Sequence, residues 1–185
     1  MNLPSSEYRH HLADLLVAIH RCVYFLDSAR GRISWPLTGD FLAEHSKDTE
    51  LFMTLSAVNE RFAKLQDTLA GAMRHAALLA GEPTDTFLRV LSHFEKVGVL
   101  PDLEAWQEAR ALRNLAAHEY GTDYGEIADH FNTVQTLIPG LIGTADKFQE
   151  FCRDELGIEP SSAEFTHEFT RIVGRIEHAT DGDGS

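Results

Sequence analysis

The stretch that decides the fold is residues 46–83, SKDTELFMTLSAVNERFAKLQDTLAGAMRHAALLAGEP. Asp48 or Ser46 can cap the start of a helix here, and Gly81 followed by Pro83 is a stop signal. A helix of about thirty residues is longer than most globular helices, so the stretch predicts the long helix of a bundle. Its apolar residues step by three and four, the spacing of one helix face: Leu51, Leu55, Val58, Phe62, Leu65, Leu69 and Met73.

A first helix is predicted before this stretch. Apolar residues in Ser6–Ala29 also step by three and four, and Gly31 follows as a stop. The segment Arg32–Phe41 contains Trp35-Pro36 and Gly39, which disfavour helix, so we expect a loop or an extended connector there.

Four more helices are predicted after residue 83. Thr84 is expected to cap a short helix that ends at Gly98, and Pro101-Asp102 opens the next helix, which ends at Gly121. Asp123 and Glu126 form a capping box for the fifth helix, which Pro139-Gly140 is expected to kink or divide and which ends at Gly157 and Pro160. Ser161 and Glu164 form a capping box for the sixth helix. The sequence thus predicts an all-α fold in a single domain over residues 1–180, with a disordered tail at 181–185.

Composition narrows the function classes. The chain carries 16 Lys and Arg against 29 Asp and Glu, a net charge of −13. Such acidity disfavours a general nucleic-acid coat protein, whose phosphate contacts depend on cations. A local cationic pocket, or a basic partner, stays compatible with it.

Cellular location follows from weaker signals. The sequence shows no long apolar run that could span a membrane and no basic–apolar leader at residues 1–11. Cys22 and Cys152 stand alone without CxxC spacing, so buried reduced thiols are favoured over a disulfide or a metal pair. We therefore expect a cytoplasmic protein.

The chemistry-bearing stretch is Arg113-Asn114-Leu115-Ala116-Ala117-His118-Glu119-Tyr120, at a predicted helix end. On an ideal helix Arg113 and Tyr120 share a face, whereas Arg113 and His118 point about 140° apart. One copy of the helix would not aim both groups at one small target. Two copies across a two-fold axis can do so, which favours a homodimer.

A guanidinium with an imidazole is what metal-free RNA cleavage requires. The imidazole titrates near neutral pH, the guanidinium can hold a phosphate, and the 2′-hydroxyl serves as an internal nucleophile. The structural alternative is that Arg113 pairs with Glu108 or Glu119 while His118 and Tyr120 pack the helix end.

A metal site is the third alternative, because the chain has ten histidines. They form no HExxH motif and no tight Cys/His cluster. The single Glu-x-x-His spacing, Glu164 to His167, lacks the second copy that a di-metal bundle needs. The sequence therefore favours no metal and no cofactor.

The pattern Arg113-Asn114-x3-His118-x-Tyr120 resembles the Arg-x4-His-x-Tyr signature of HepT-like toxins in the HEPN superfamily. The resemblance covers about residues 48–155 and implies an antiparallel HEPN-like four-helix bundle with additional N- and C-terminal helices. It also implies a homodimeric, metal-independent endoribonuclease with catalytic Arg113 and His118 and with Asn114 binding or orienting the phosphate.

The partner that the resemblance implies is a minimal nucleotidyltransferase (MntA-like) antitoxin that transfers AMP to Tyr120. An attached nucleotide would add bulk and negative charge beside His118. The alternative within the same resemblance is a non-catalytic subunit that binds a nucleotide or a partner in a nucleotidyltransferase complex.

Overall fold

A computed structural model of the chain describes residues 3–116 and 122–182, with side chains described for residues 6–113 and 122–179. The described residues form an all-α helical bundle without strands, which confirms the predicted fold class. The helices are α1 (Leu3–Arg30), α2 (Gly39–Glu44), α3 (Thr49–Leu79), α4 (Phe87–Lys96), α5 (Leu103–Ala116), α6 (Tyr124–Leu156) and α7 (Thr166–Gly182).

Helix α3 is the predicted long helix. Asp48 caps it, since its Oδ1 accepts a hydrogen bond from the Leu51 amide at 3.0 Å, and the alternative Ser46 does not serve as the cap. The predicted apolar stripe lies in the core from Leu55 to Met73, where each of its members is at most 1% exposed.

Helix α1 runs antiparallel to α3 and packs into the same core. Tyr8 near the start of α1 contacts His75 near the end of α3, and Phe25 near the end of α1 lies 5.4 Å from the guanidinium of Arg61. Fully buried residues of α1 join the core cluster: Leu12, Leu16, Ile19, Val23 and Leu26. The segment that precedes residue 48 therefore contributes to the interior, while the boundaries of the predicted domain stay a prediction.

Two predicted helix starts are wrong. Thr86 and not Thr84 caps α4, because the Thr86 hydroxyl accepts a hydrogen bond from the Arg89 amide. Helix α7 begins at Thr166, and Ser161 instead donates a hydrogen bond to Asp14 of α1 at 2.6 Å. This contact ties the α6–α7 connection to α1.

The predicted connector over residues 32–41 is partly wrong as well. Thr38 caps the short helix α2, which starts at Gly39, and the loop is confined to residues 31–38. Asn132 holds that loop, since its side chain accepts from the Leu37 amide and donates to the Leu37 carbonyl. This long-range pair replaces the helix hydrogen bonds that the loop lacks.

Helix α6 is continuous from Tyr124 to Leu156, so the predicted division at Pro139-Gly140 does not occur. Pro139 lies inside it, where proline removes one backbone donor. The other end signals are confirmed, because Asp123 caps the start and Gly157 ends the helix in the left-handed conformation with φ of 59°. Asp181 and Gly182 end α7, and 183–185 lie outside the described residues.

Candidate functional site

Of the predicted site residues, the structure describes the side chain of Arg113 only. The Asn114 backbone belongs to α5, but its side chain lies outside the described set. His118 and Tyr120 fall in the segment 117–121, which is also outside the described residues. The angle between Arg113 and His118, and the roles of Asn114, His118 and Tyr120, therefore stay predictions.

Arg113 forms an ion pair that the sequence did not indicate. Its Nη1 lies 2.6 Å from Oδ1 of Asp67 on α3, whereas no ion pair joins it to Glu108; the other predicted partner, Glu119, lies outside the described residues. The pair is partly open to solvent, with 31% of the Arg113 side chain and 52% of the Asp67 side chain exposed. Asp67 occupies one edge of the guanidinium, and the other N–H groups of Arg113 can donate hydrogen bonds to a ligand.

The pair stands in a cleft between α3 and α5. The cleft has a volume of about 260 Å³, and Phe87 at the start of α4 forms one wall. The complete lining is Gln66, Asp67, Ala70, Gly71, Arg74, Phe87, Trp106, Arg110 and Arg113. We call it the arginine cleft. It opens because Ala70 and Gly71 place little side-chain volume on the α3 side.

The charge of the arginine cleft is opposite to that of the chain. Among the described residues that line it, Arg74, Arg110 and Arg113 stand against one carboxylate, that of Asp67, in a protein of net charge −13. The guanidinium of Arg74 lies 6.0 Å from the ring centroid of Phe87, at the outer range of a cation–π contact, which orients it at the rim. Three planar donor groups around one hollow are suited to a phosphate or a carboxylate.

The floor of the arginine cleft is polar and buried. Gln66 is 2% exposed and donates from Nε2 to the main-chain carbonyl of Trp106 at 3.1 Å. Its Oε1 is buried without a hydrogen-bond partner among the described residues. A buried acceptor without a donor is unfavourable, so Gln66 is a costly residue to place beneath the cleft.

Sequence reasoning missed Arg74 and Arg110 as functional candidates. A signal for Arg110 existed, since it stands three residues before Arg113 and four after Trp106, on one side of α5. Arg74 lies seven residues after Asp67 on α3 and so shares its helix face. No periodicity indicates that these two faces meet, because that depends on how α3 packs against α5.

A second and larger groove has the wrong charge for a polyanion. It has a volume of about 810 Å³ beside the end of α6. Lys147 is its one lysine, against the carboxylates Glu82, Glu150, Asp154 and Glu155. The arginine cleft is thus the better candidate of the two for a phosphate.

Of the nine described histidines, four are exposed and five are at least partly buried. Burial lowers the pKa of His20 and of His130, and His130 hydrogen-bonds Asn59 on α3 at 3.2 Å. Within the part of the chain that the structure describes, no group of three or more His, Cys, Asp or Glu side chains could hold a metal ion.

Cys22 and Cys152 are buried free thiols, and burial raises the pKa of Cys152 to about 12.

Comparisons of the chain with protein-family models, curated proteins and solved structures find no match. None of the described helices has the length and apolar character needed to cross a bilayer. The case for a function therefore depends on the sequence motif and on the cleft that contains its first residue.

Proposed function

We propose that this protein is a metal-independent endoribonuclease toxin of the HepT/MntA type, a member of the HEPN superfamily that acts in the cytoplasm. The observation that carries the proposal is the position of Arg113. This first residue of the Arg-x4-His-x-Tyr pattern lies in a cleft with two further arginines, at the end of the described part of α5. A phosphodiester in that cleft would be bound by the motif arginine.

The proposed chemistry uses the 2′-hydroxyl of RNA as nucleophile. His118 accepts its proton, the 2′-oxygen attacks the adjacent phosphorus, and the bond to the 5′-oxygen breaks to leave a cyclic phosphate. A second proton, from water, goes to the departing 5′-oxygen. Arg113 stabilises the charge on the phosphate oxygens, and Asn114 orients the phosphate.

Control of this activity is assigned to Tyr120. In the proposal a minimal nucleotidyltransferase antitoxin transfers AMP from ATP to Tyr120: the phenol oxygen bonds to the α-phosphorus, its proton is released and pyrophosphate leaves. The added phosphate would compete with RNA for the cations of the arginine cleft and crowd His118.

A second candidate function is a non-catalytic nucleotide-binding subunit of a nucleotidyltransferase complex. The size of the arginine cleft favours it, since about 260 Å³ is close to the lower limit of about 300 Å³ for small-molecule sites. In that case Arg113 would bind a nucleotide without cleaving RNA.

Replacement of His118 separates the two candidates. We expect expression of the wild-type chain to arrest growth and purified protein to cleave RNA in the presence of a metal chelator. His118→Ala should abolish both effects, and His178→Ala, which removes an exposed histidine of α7, should change neither. Toxicity and cleavage that persist in His118→Ala would refute the catalytic proposal. A wild-type chain that binds a nucleotide but neither arrests growth nor cleaves RNA supports the second candidate.

A further inference from the structure

The arginine cleft contains cations that the sequence motif does not include. Arg74 comes from α3 and Arg110 from α5, one helical turn before Arg113, and all three line the same hollow. Both Arg74 and Arg110 are exposed, so their guanidinium groups can reach a ligand without opening the core. Two helices thus contribute donors to one small volume.

The identity of the ligand follows from charge and size. Three arginines against Asp67 favour an anion, while the chain charge of −13 opposes a long polyanion outside the cleft. The volume of about 260 Å³ is close to the lower limit of about 300 Å³ for small-molecule sites, so the cleft has room for more than a phosphate group. Phosphate joined to a sugar and a base meets both requirements.

We propose that Arg74 and Arg110 are phosphate-binding residues, and that the arginine cleft holds the phosphate of one ribonucleotide. The site deepens the proposed function, because that function requires a phosphate at Arg113. The same chemistry could come from a free nucleotide or from one nucleotide of an RNA chain.

Asp67 competes with the ligand in this site. Its carboxylate occupies one edge of the Arg113 guanidinium at 2.6 Å, so a phosphate must share Arg113 with it or displace it. A phosphate and the Asp67 carboxylate on the same guanidinium would repel each other, so Asp67 weakens anion binding. Its removal should strengthen binding.

Calorimetric titration of the purified full chain in the His118→Ala background tests the site. The probes are inorganic phosphate, AMP and a short 2′-O-methyl oligoribonucleotide, which cannot be cleaved. Arg74→Gln and Arg110→Gln should each weaken binding of AMP or the oligonucleotide about tenfold, the value of a charge-assisted hydrogen bond. The matched control is Arg171→Gln on α7, which changes the net charge equally outside the cleft.

Asp67→Asn should tighten binding about tenfold, and Asp154→Asn, which also removes a carboxylate from an arginine pair, should not. Tighter binding of AMP than of the oligonucleotide indicates a free nucleotide, the reverse order indicates RNA, and phosphate should bind more weakly than either. Circular dichroism confirms that each variant is folded.

Absence of binding for all three probes, or equal losses in the cleft variants and in Arg171→Gln, would overturn the inference. These outcomes are distinct from failure of the proposed function. If the wild type cleaves no RNA while Arg74 and Arg110 still govern AMP affinity, the nucleotide site stands and the nuclease is refuted. If His118→Ala abolishes cleavage while the arginine variants bind normally, the nuclease stands and the site is refuted.

Discussion

The imidazole of His20 stacks on the ring of Phe169, with centroids 4.1 Å apart and the planes within 16°. His20 is 1% exposed, and its Nε2 is hydrogen-bonded to Gln149 of α6. One histidine therefore joins α1, α6 and α7 in the interior. Burial lowers its pKa, and the hydrogen bond to Gln149 only partly offsets that effect.

Acid should destabilise the fold through His20. Because its folded pKa lies below the unfolded value of 6.5, the unfolded chain binds the proton more readily, so stability is full above pH 6.5 and falls as pH drops below it. Urea unfolding at pH about 7.5 and about 5.5 should show a lower free energy of unfolding at the acidic pH. His130, which is partly buried, contributes in the same direction.

His20→Gln should reduce that pH dependence, and His167→Gln, an exposed histidine on α7, should leave it as in the wild type. Asp146, whose pKa is raised by burial, acts in the opposite sense at more acidic pH, which is why the comparison stops near pH 5.5. An unchanged slope in His20→Gln would show that the acid sensitivity has another source.

Two glycine substitutions should have opposite effects on stability. A Cβ on Gly39 would lie 2.9 Å from the Gly125 amide nitrogen at the start of α6, where backbone must move. Gly39→Ala should therefore cost about 1–3 kcal/mol, as overpacking does. A Cβ on Gly143 within α6 meets nothing within 4 Å, so Gly143→Ala should stabilise by about 0.5–1 kcal/mol through helix propensity. Denaturant midpoints measure both, and a stabilising Gly39→Ala would contradict the packing at this crossing.

The sequence predicted those features that depend on local periodicity. The stripe of α3 follows from spacing and is confirmed from Leu55 to Met73, whereas the sequence allowed Asp48 or Ser46 as the cap and the structure selects Asp48. The predicted start of α4 is wrong because Thr84 and Thr86 are both acceptable N-cap residues, and helix propensity does not distinguish between them. Gly39 was read as a helix breaker, but the Thr38 cap outweighs its low propensity.

In the candidate site, too, the sequence predicts local features and misses those that depend on tertiary packing. Arg113 could be identified from the motif, whereas Asp67 and Arg74 stand far upstream in the sequence and join it only through the packing of α3 on α5. The ion pair between Asp67 and Arg113 is a tertiary contact that no residue spacing encodes. It adds a carboxylate from α3, a helix outside the motif, that competes with a ligand for Arg113.

Modification of Tyr120 gives a separate test of regulation. Co-expression with the cognate minimal nucleotidyltransferase should add the mass of AMP to the chain and relieve toxicity. Tyr120→Phe should lose the adduct, because it lacks the phenol oxygen that attacks the nucleotide phosphorus. Tyr124→Phe, which alters the first residue of α6, is the matched control and should keep it. Intact-mass spectrometry detects the adduct. An adduct that persists in Tyr120→Phe would place the modification on another residue.

The dimer is tested most sharply by mixing two inactive variants. If Arg113 of one protomer acts with His118 of the other, a heterodimer of Arg113→Gln and His118→Ala has one site with both groups intact. Co-refolded mixtures should then regain up to about a quarter of wild-type RNA cleavage, since half of the dimers are mixed and each has one working site of two. Light scattering should give the mass of two chains. No recovery from a confirmed mixed dimer would show that the two groups do not act across the two-fold axis.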